Sequence, residues 1–251
     1  MNKIHLLDNG LINKIAAGEV VERPASVVKE LMENSIDAGA TSITVEIAEG
    51  GTSVIKITDN GKGIPKDEIR TAFMRHATSK IDSFEDLENV LTLGFRGEAL
   101  SSIASVAQVE MLTRTENDSM GTRIVINGGV VDREEECAAN VGTVFYVKNI
   151  FFNTPARRKF LKKPATEGSY ISEIVNRIAL GHPNIAIKYI NNGNIVLQTI
   201  GDGNVKNSLF YIYGKDIASK MLNLESEKEG YILKGLVGKP ELSRGNRNYE
   251  N

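Results

Sequence analysis

Three short polar blocks in the first hundred residues carry the residue types needed to hold a magnesium nucleotide and to attack its last phosphate with water. They are Glu30-Leu31-Met32-Glu33-Asn34, Asp59-Asn60-Gly61-Lys62-Gly63 and Gly94-Phe95-Arg96-Gly97-Glu98-Ala99-Leu100. The first offers a carboxylate and an amide one helical turn apart, the second an acid at the mouth of a glycine turn, and the third a glycine-framed loop before a helix. One block alone is weak evidence, whereas all three in this order are strong evidence.

The first block is predicted to lie on a helix that begins near Pro24, because proline suits a first helical turn, where its missing N–H would have no partner. At 100° per residue, Glu30, Glu33, Asn34 and Asp37 form one polar stripe, opposite an apolar face. Glu33 and Asp37 are like charges four residues apart, which costs a few tenths of a kcal/mol. We expect no cation on the same stripe to relieve them.

The polar stripe is interpreted as the place of a cation and a polarised water, although most such faces are only solvated. Mg²⁺ takes one or two protein oxygens plus phosphates and keeps most of its waters. Asn34 could supply one such oxygen. Glu30, on the same face, could orient and deprotonate the attacking water.

The second block is predicted to end a β-hairpin made of Thr41–Ile47 and Val54–Ile57. Asp59 is then an acceptor fixed at the end of a strand, able to take an N–H from a flat base such as adenine. Gly61 and Gly63 permit positive φ and a close approach of the backbone to a ligand. The alternative is a plain Asx turn with two turn glycines.

The third block is predicted to lead into a helix from Ala99 to Ala107. The free N–H groups and partial positive charge of a helix N-terminus suit phosphate. Upstream, Arg75–Lys80 is short, polar and cationic, and the chain from Arg75 to Glu98 could form a flap over a nucleotide. The alternative is an ordinary loop and cap. Neither a Walker A nor a Rossmann glycine pattern is present.

The chain resembles the N-terminal ATPase region of the MutL family of DNA mismatch-repair proteins. That family lies within the superfamily of gyrase B, the ninety-kilodalton heat-shock chaperones and the histidine kinases. The matching stretches are Ile15–Ser26, Lys29–Ala40, Arg75–Lys80, Gly94–Leu100 and Phe152–Leu161. They are more specific than the motifs of the superfamily.

The resemblance implies ATP and Mg²⁺ as cofactors, with Glu30 as general base, Asn34 as magnesium ligand and Asp59 as the acceptor for adenine. It implies phosphate contacts from Thr78, Ser79 and Lys80, and from Gly94, Phe95, Arg96, Gly97, Glu98, Ala99 and Leu100. Thr143 matches the last motif of the family, near adenine.

The fold implied by the resemblance is an α/β two-layer sandwich: a mixed, largely antiparallel sheet with helices on one face and nucleotide between the layers. Periodicity alone gives only a mixed α/β class. Residues 1–200 are expected to form the ATP-binding domain. Residues 201–251 are expected to be a linker and the truncated beginning of a second small α/β domain, whose phosphate-binding lysine would lie beyond Asn251. The chain is therefore expected to be a fragment with impaired turnover.

A basic segment follows the strand that is predicted from Thr143 to Asn149. Arg157, Arg158, Lys159, Lys162 and Lys163 lie within seven residues. Such a patch suits the phosphate backbone of DNA, and the alternative is a solvated basic turn. We expect Arg157, Arg158 and Lys159 to contact DNA without reading its sequence, because Phe160 is the only aromatic side chain interleaved with these cations.

Composition adds little. The 251 residues include 41% apolar ones, and the formal net charge of −2 attracts no nucleic acid globally. The single cysteine, Cys137, fits a reducing cytosol, so a cytoplasmic protein is expected. No apolar run indicates a signal peptide or a membrane span. Glu134 to Glu136 are predicted to be an exposed loop, and Phe151 and Phe152 to be core residues.

The leading functional prediction is slow, Mg-dependent ATP hydrolysis that drives a conformational switch in mismatch repair. The resemblance implies non-specific DNA, mismatch-recognition and other repair proteins as partners, with a homodimer formed on ATP binding. The alternative is a nucleotide-regulated DNA-binding scaffold with incidental turnover. A phosphotransferase would need a partner histidine domain and a topoisomerase a cleavage domain, and the sequence shows neither.

Overall fold

The computed structural model describes residues 17–18, 20–80, 93–94 and 97–243, and an eight-stranded sheet lies at its centre. Its strands are β1 (Ser42–Ala48), β2 (Val54–Asp59), β3 (Gln108–Arg114), β4 (Gly121–Asn127), β5 (Val130–Cys137), β6 (Gly142–Lys148), β7 (Ala186–Asn191) and β8 (Asn194–Gln198). The strand order is β5-β4-β3-β6-β2-β1-β7-β8. Among these eight described strands only β1 and β7 pair in parallel, so the predicted mixed, largely antiparallel sheet is confirmed.

The helices of the described ranges are α1 (Pro24–Asp37), α2 (Ile69–Ala72), α3 (Ala99–Val106), α4 (Pro155–Phe160), α5 (Pro164–Gly181), α6 (Val205–Tyr213) and α7 (Lys215–Ser219). Short 3₁₀ turns span Glu49–Gly51 and Pro240–Leu242, and β9 (Met221–Lys228) pairs with β10 (Tyr231–Gly238) in a separate two-stranded sheet. Proline opens α1, α4 and α5 at positions where no N–H is needed.

The two layers follow from the alternation of apolar residues along the strands. In β1, Ile43, Val45 and Ile47 are buried while their neighbours are partly exposed, as expected for a strand with one covered face. Leu31 of α1 and Val175 of α5 belong to the same core. Burying such a side chain contributes about 1.5–3 kcal/mol, so the sheet and its covering helices stabilise each other.

At one end of the sheet, the strand register places buried polar residues side by side in a row that borders the apolar core. Residue pairing across neighbouring strands runs from Ile43 to Asp59, Thr143, Thr113 and Thr122. All five side chains are buried, and paired residues in a sheet point to the same face. The row therefore places a carboxylate and three hydroxyl groups together at one end of the sheet, beneath the helices.

The prediction of an exposed loop at Glu134–Glu136 is wrong, because these residues belong to β5, an edge strand paired with β4. Glutamate is depleted in strands, which is why the sequence pattern misled. The ion pairs that hold them are Arg70–Glu134, Arg123–Glu135 and Lys66–Glu136, with N–O distances of 2.6, 2.6 and 2.8 Å. Two of these cations, Lys66 and Arg70, lie far from β5 in the sequence.

Two further expectations are revised after β6. Phe151 is fully buried, as predicted, but Phe152 is 40% exposed and is not a core residue. The segment considered as a basic turn contains a helix, α4.

The C-terminal part contains α6, α7 and the two-stranded sheet of β9 and β10. Helix α6 contacts β8 and α5. The division into domains at residues 200 and 201 stays a prediction. Within the described ranges, no helix combines the length and apolar character needed to cross a membrane.

Candidate functional site

Asp59 is the carboxylate in the polar row at the end of the sheet. Its side chain is buried and accepts hydrogen bonds from Ser35 Oγ at 2.8 Å and from the Gly61 N–H at 2.9 Å. The backbone N–H of Thr143 is a third donor. A carboxylate offers about four acceptor sites, so roughly one of them is left for a donor on a ligand.

Burial raises the pKa of Asp59 above its usual 3.8, and the hydrogen bonds from Gly61, Ser35 and Thr143 oppose this only in part. The cause is desolvation of the charged form. A further N–H donor placed on the carboxylate would favour the ionised form. The amino group of a flat base is such a donor.

The polar row supports Asp59 from β3 and β6. Thr143 Oγ1 lies 3.1 Å from Thr113 Oγ1, and Thr113 Oγ1 also accepts the Ile64 N–H at 2.9 Å. Thr143 was predicted to lie near adenine, but Thr113 and Ser35 were missed. The available signal was a polar residue at an inward position of an apolar pattern, as Thr113 follows Val109 and Met111.

The glycines around Asp59 are required by contacts within the protein itself. Gly63 has φ +72°, and a Cβ there would lie 2.2 Å from the carbonyl oxygen of Arg114. Gly142 has φ +118°, and a Cβ there would lie 2.2 Å from the carbonyl oxygen of Asp59. Gly61 lies against Ala38, at the end of α1. Their proposed approach to a ligand stays a prediction.

The expectation that no cation relieves the polar stripe is wrong. Lys80 Nζ lies 2.6 Å from Asp37 Oδ2 and donates to Asn34 Oδ1 at 3.0 Å. Lys29 Nζ contacts Glu33 at 2.9 Å and Glu30 at 3.3 Å. Lys80 comes from a loop that only the fold brings to α1, whereas the Lys29–Glu33 spacing of four residues was visible in the sequence.

The predicted general base, Glu30, is one quarter exposed on its side chain. It shares α1 with Asn34, and α1 also carries Ser35, the residue that binds Asp59. One helix thus positions the Glu30 carboxylate, the Asn34 amide oxygen and the Ser35 hydroxyl that donates to the buried Asp59.

The two predicted phosphate segments lie side by side. Gly97 has φ +61°, and a Cβ there would lie 2.6 Å from the carbonyl oxygen of Ala77. Arg75 and His76 each lie 3.3 Å from a carboxylate oxygen of Glu98. The residues just before Thr78 are therefore held against the start of α3.

Within these segments, Thr78 Oγ1 accepts the Lys80 N–H at 3.2 Å, and Ser79 is exposed. Ala99 and Leu100 open α3, where the first N–H groups of a helix have no partner within that helix. Gly94 lies beside Asp37. Phe95, Arg96 and most of the predicted flap lie outside the described residues.

The three predicted DNA contacts are in different surroundings. Arg158 and Lys159 are exposed on α4, and Lys162 and Lys163 are exposed just after it. Arg157 is only partly exposed, and a Cβ on Gly18 would lie 2.0 Å from its Nη2 atom. Arg157 thus packs against the chain near residue 18, while its two neighbours face solvent.

Comparison with known proteins places this arrangement among nucleotide-binding folds. The profile of the family described as histidine kinase-, DNA gyrase B-, and HSP90-like ATPase matches residues 22–141. The DNA mismatch repair protein MutL of Agathobacter rectalis is 57% identical over the whole chain, and that of Caldanaerobacter subterraneus subsp. tengcongensis is 51% identical over 250 residues. The chain spans 39% and 42% of these two proteins.

Solved structures agree with the sequence comparison. The Aquifex aeolicus MutL ATPase domain complexed with ADP superposes with a TM-score of 0.72 at 30% identity, covering 90% of this chain and 80% of that one. The N-terminal domain of a DNA repair protein gives a TM-score of 0.77 at 23% identity over 94% of this chain and 74% of that one, which shows the fold alone.

Proposed function

The chain belongs to the MutL family of DNA mismatch-repair proteins, in the region of their ATPase domain, and from this premise we propose that it binds Mg-ATP and hydrolyses it with water. The observation that carries the proposal is that two side chains of α1 make contacts at two different parts of the site. Through Ser35 the helix holds the buried Asp59, and through Asn34 it holds the cationic Lys80. Both ends of a nucleotide would then be bound along one helix.

At the base end, Asp59 is proposed to accept the amino group of adenine, because one of its acceptor sites is left after Ser35, Gly61 and Thr143. Thr143 lies in the same polar row and is proposed to line the base. Burial destabilises the charged form of Asp59 and so raises its pKa. Each added hydrogen-bond donor therefore stabilises the carboxylate.

At the phosphate end, the residues present fit Mg²⁺. Asn34 Oδ1 is a neutral oxygen that already accepts a hydrogen bond from an ammonium group, so a cation is accommodated there. Asn34 would hold the ion together with phosphate and water oxygens. The bound ion would neutralise charge on the phosphates. Thr78, Ser79, Lys80 and the N-terminus of α3 are proposed to surround those phosphates.

Glu30 is proposed to take the proton of the attacking water. A positioned base of this kind contributes about 10²–10⁴-fold to a rate. Lys29 at 3.3 Å and the shared helix fix where its carboxylate lies. The proton would leave the water as the oxygen attacks the terminal phosphorus, with ADP and phosphate as products.

In the whole protein, ATP binding is proposed to drive a switch to a homodimer that works with mismatch-recognition and other repair proteins. Arg158 and Lys159 are proposed to contact DNA phosphates, since both side chains are exposed. Residues 1–200 are proposed as the ATP-binding domain and 201–251 as the linker and beginning of a second domain.

A second candidate, a nucleotide-regulated DNA-binding scaffold with incidental turnover, is favoured by one contact. The carboxylate of Glu30 lies against the ammonium of Lys29 rather than standing alone. Phosphate release measured beside DNA binding separates the two. DNA binding that depends on nucleotide but is unchanged when turnover is abolished would support the scaffold.

The structure with a non-hydrolysable ATP analogue and Mg²⁺ is the direct test. We expect the adenine amino group on Asp59, the ion on Asn34 and the phosphates before α3. A base bound elsewhere, with Asp59 contacting only its protein donors, would overturn the proposed site.

A further inference from the structure

The carboxylate of Asp37 gathers three donors from two separate segments. Its oxygens accept from Lys80 Nζ at 2.6 Å, from the Leu93 N–H at 3.2 Å and from the Gly94 N–H at 3.4 Å. The side chains of Asp37 and Lys80 are only 10% and 19% exposed. Charge pairs largely removed from water interact more strongly than exposed pairs, so the contact between Lys80 and Asp37 is a defined feature of the structure.

Lys80 has a second partner that matters for the proposed chemistry. Its Nζ donates at 3.0 Å to Asn34 Oδ1, the oxygen proposed to bind Mg²⁺. The same Nζ would lie 3.4 Å from a Cβ on Gly94. The ammonium therefore sits between the proposed metal ligand and the start of the glycine loop.

We propose that Asp37 is a positioning residue. When no nucleotide is bound, it holds the Lys80 ammonium against Asn34 Oδ1, in the place that Mg²⁺ would take. Two cations on one oxygen would repel each other. Mg²⁺ and Lys80 therefore compete for Asn34. The inference rests on the proposed function, because it takes Mg-nucleotide as the ligand that ends the competition.

This competition gives the Lys80 ammonium two alternative binding positions. In the free protein it balances the negative charge of the polar stripe. When Mg²⁺ occupies Asn34, Lys80 moves to the phosphates, which lie beside it in the proposed site. Asp37 keeps the Leu93 and Gly94 N–H groups as partners, so the beginning of the glycine loop stays on α1 during the exchange.

The first test uses Mn²⁺ as a spectroscopic probe on nucleotide-free protein, measured by electron paramagnetic resonance with Mg²⁺ as competitor. Lys80→Met removes the ammonium and keeps the stem of the side chain. We expect it to bind Mn²⁺ about tenfold more tightly than the parent, because the competing state is removed. Lys62→Met, which removes an exposed lysine from the neighbouring glycine turn, is the matched control and should leave Mn²⁺ binding unchanged.

The second test asks whether Asp37 holds Lys80 back. In Asp37→Asn the lysine is released, so ATP affinity without Mg²⁺ should rise about three- to tenfold and the gain from adding Mg²⁺ should shrink. A merely structural Asp37 would instead lower ATP affinity equally with and without Mg²⁺. Thermal melts of each variant show whether it folds, and the ¹⁵N signal of the Lys80 ammonium during a Mg²⁺ titration of the parent gives a readout that needs no variant.

Failure of this inference is distinct from failure of the proposed function. Normal Mg-ATP binding by the parent, with equal Mn²⁺ affinity in parent and Lys80→Met and an unmoved Lys80 signal, would overturn the competition and leave the ATP site intact. A parent that binds no ATP under any condition would overturn the proposed function, while the Mn²⁺ comparison would still decide the inference.

Discussion

The polar stripe of α1 and the basic helix α4 are both rows of charged side chains, but they relate to the rest of the molecule in opposite ways. Around the stripe, Asn34 and Asp37 are tied to Lys80, and the adjacent Ser35 is tied to the buried Asp59. Helix α4 has no buried residue, and Arg158 and Lys159 on it are exposed. The α1 side chains are held in place by specific contacts, whereas Arg158 and Lys159 of α4 face solvent.

This difference predicts two kinds of response to substitution. Changing one residue near the stripe should produce a large effect on one step, because each group has its own partner. Changing charges on α4 should produce a graded effect that salt can imitate.

The largest effect is expected from Glu30→Ala. Phosphate release should fall about 10²–10⁴-fold, the contribution of a positioned general base, while ATP affinity measured by calorimetric titration stays close to that of the parent. Glu33→Ala is the matched control, because Glu33 lies on the same stripe and also contacts Lys29. If Glu30→Ala hydrolyses ATP at the parent rate, Glu30 is not the base.

Asp59 should affect binding rather than turnover. A hydrogen bond to a charged group contributes about 1.5–3 kcal/mol, so Asp59→Ala should weaken ATP binding by at least about tenfold. Because burial raises the pKa of Asp59, acidification should protonate it, and weaken ATP binding, at a pH above the value of about 3.9 typical of aspartate. Calorimetric titration of ATP across the acidic range measures both effects.

The same pKa shift has a definite sign for stability. A raised folded-state pKa means that the contribution of Asp59 to the free energy of unfolding is greatest below its unfolded-state pKa and is lost as the pH rises through the folded-state value. For the pH dependence of ATP binding, Asp59→Ala serves as the control. Its ATP binding should be weak and should not change with pH in the range where Asp59 of the parent takes up a proton. A parent whose ATP affinity is constant down to the ordinary aspartate range would contradict the role given to Asp59.

On α4, replacing both Arg158 and Lys159 with glutamate should weaken DNA binding and flatten its salt dependence. Each neutralised phosphate adds roughly 0.9 to the log–log slope on duplex DNA, so losing two contacts should reduce the slope by about 1.8. Fluorescence anisotropy over a salt series measures this. Unrelated duplex sequences should respond alike.

Arg157 provides a control from within the same segment. Because its guanidinium lies against Gly18, Arg157→Gln should leave the salt slope unchanged and should lower thermal stability instead. An unchanged slope in the Arg158 and Lys159 double variant would mean that the exposed cations of α4 are only solvated.

The smallest effect is expected from Lys29→Ala, which removes a 45% exposed ammonium from Glu33. Exposed pairs with this spacing on a helix contribute about 0.3–0.5 kcal/mol, so the free energy of unfolding in urea should fall by about that amount. The loss should shrink at high salt. A much larger loss would show that the stripe depends on Lys29 as strongly as on Lys80.

Local sequence pattern by itself was enough to determine several elements of this protein. Pro24 and the apolar period determined α1, the alternation of Ile43, Val45 and Ile47 determined β1, and the glycine-framed approach to Ala99 determined α3. Each depends on neighbours within a few residues. The residue types of the three polar blocks suggested candidate roles for Glu30, Asn34 and Asp59, and the resemblance to the MutL family implied the same roles.

Only the tertiary structure decided which distant groups meet those residues. Strand register put Thr113 against Thr143, helix packing put Ser35 on Asp59, and loop placement put Lys80 on Asn34 and Asp37. It also changed the interpretation of Glu134–Glu136 and separated Arg157 from Arg158. Local periodicity specifies which face of an element is buried, but a contact between residues tens of positions apart depends on how whole elements pack, and that follows from the shared core rather than from any short stretch of chain.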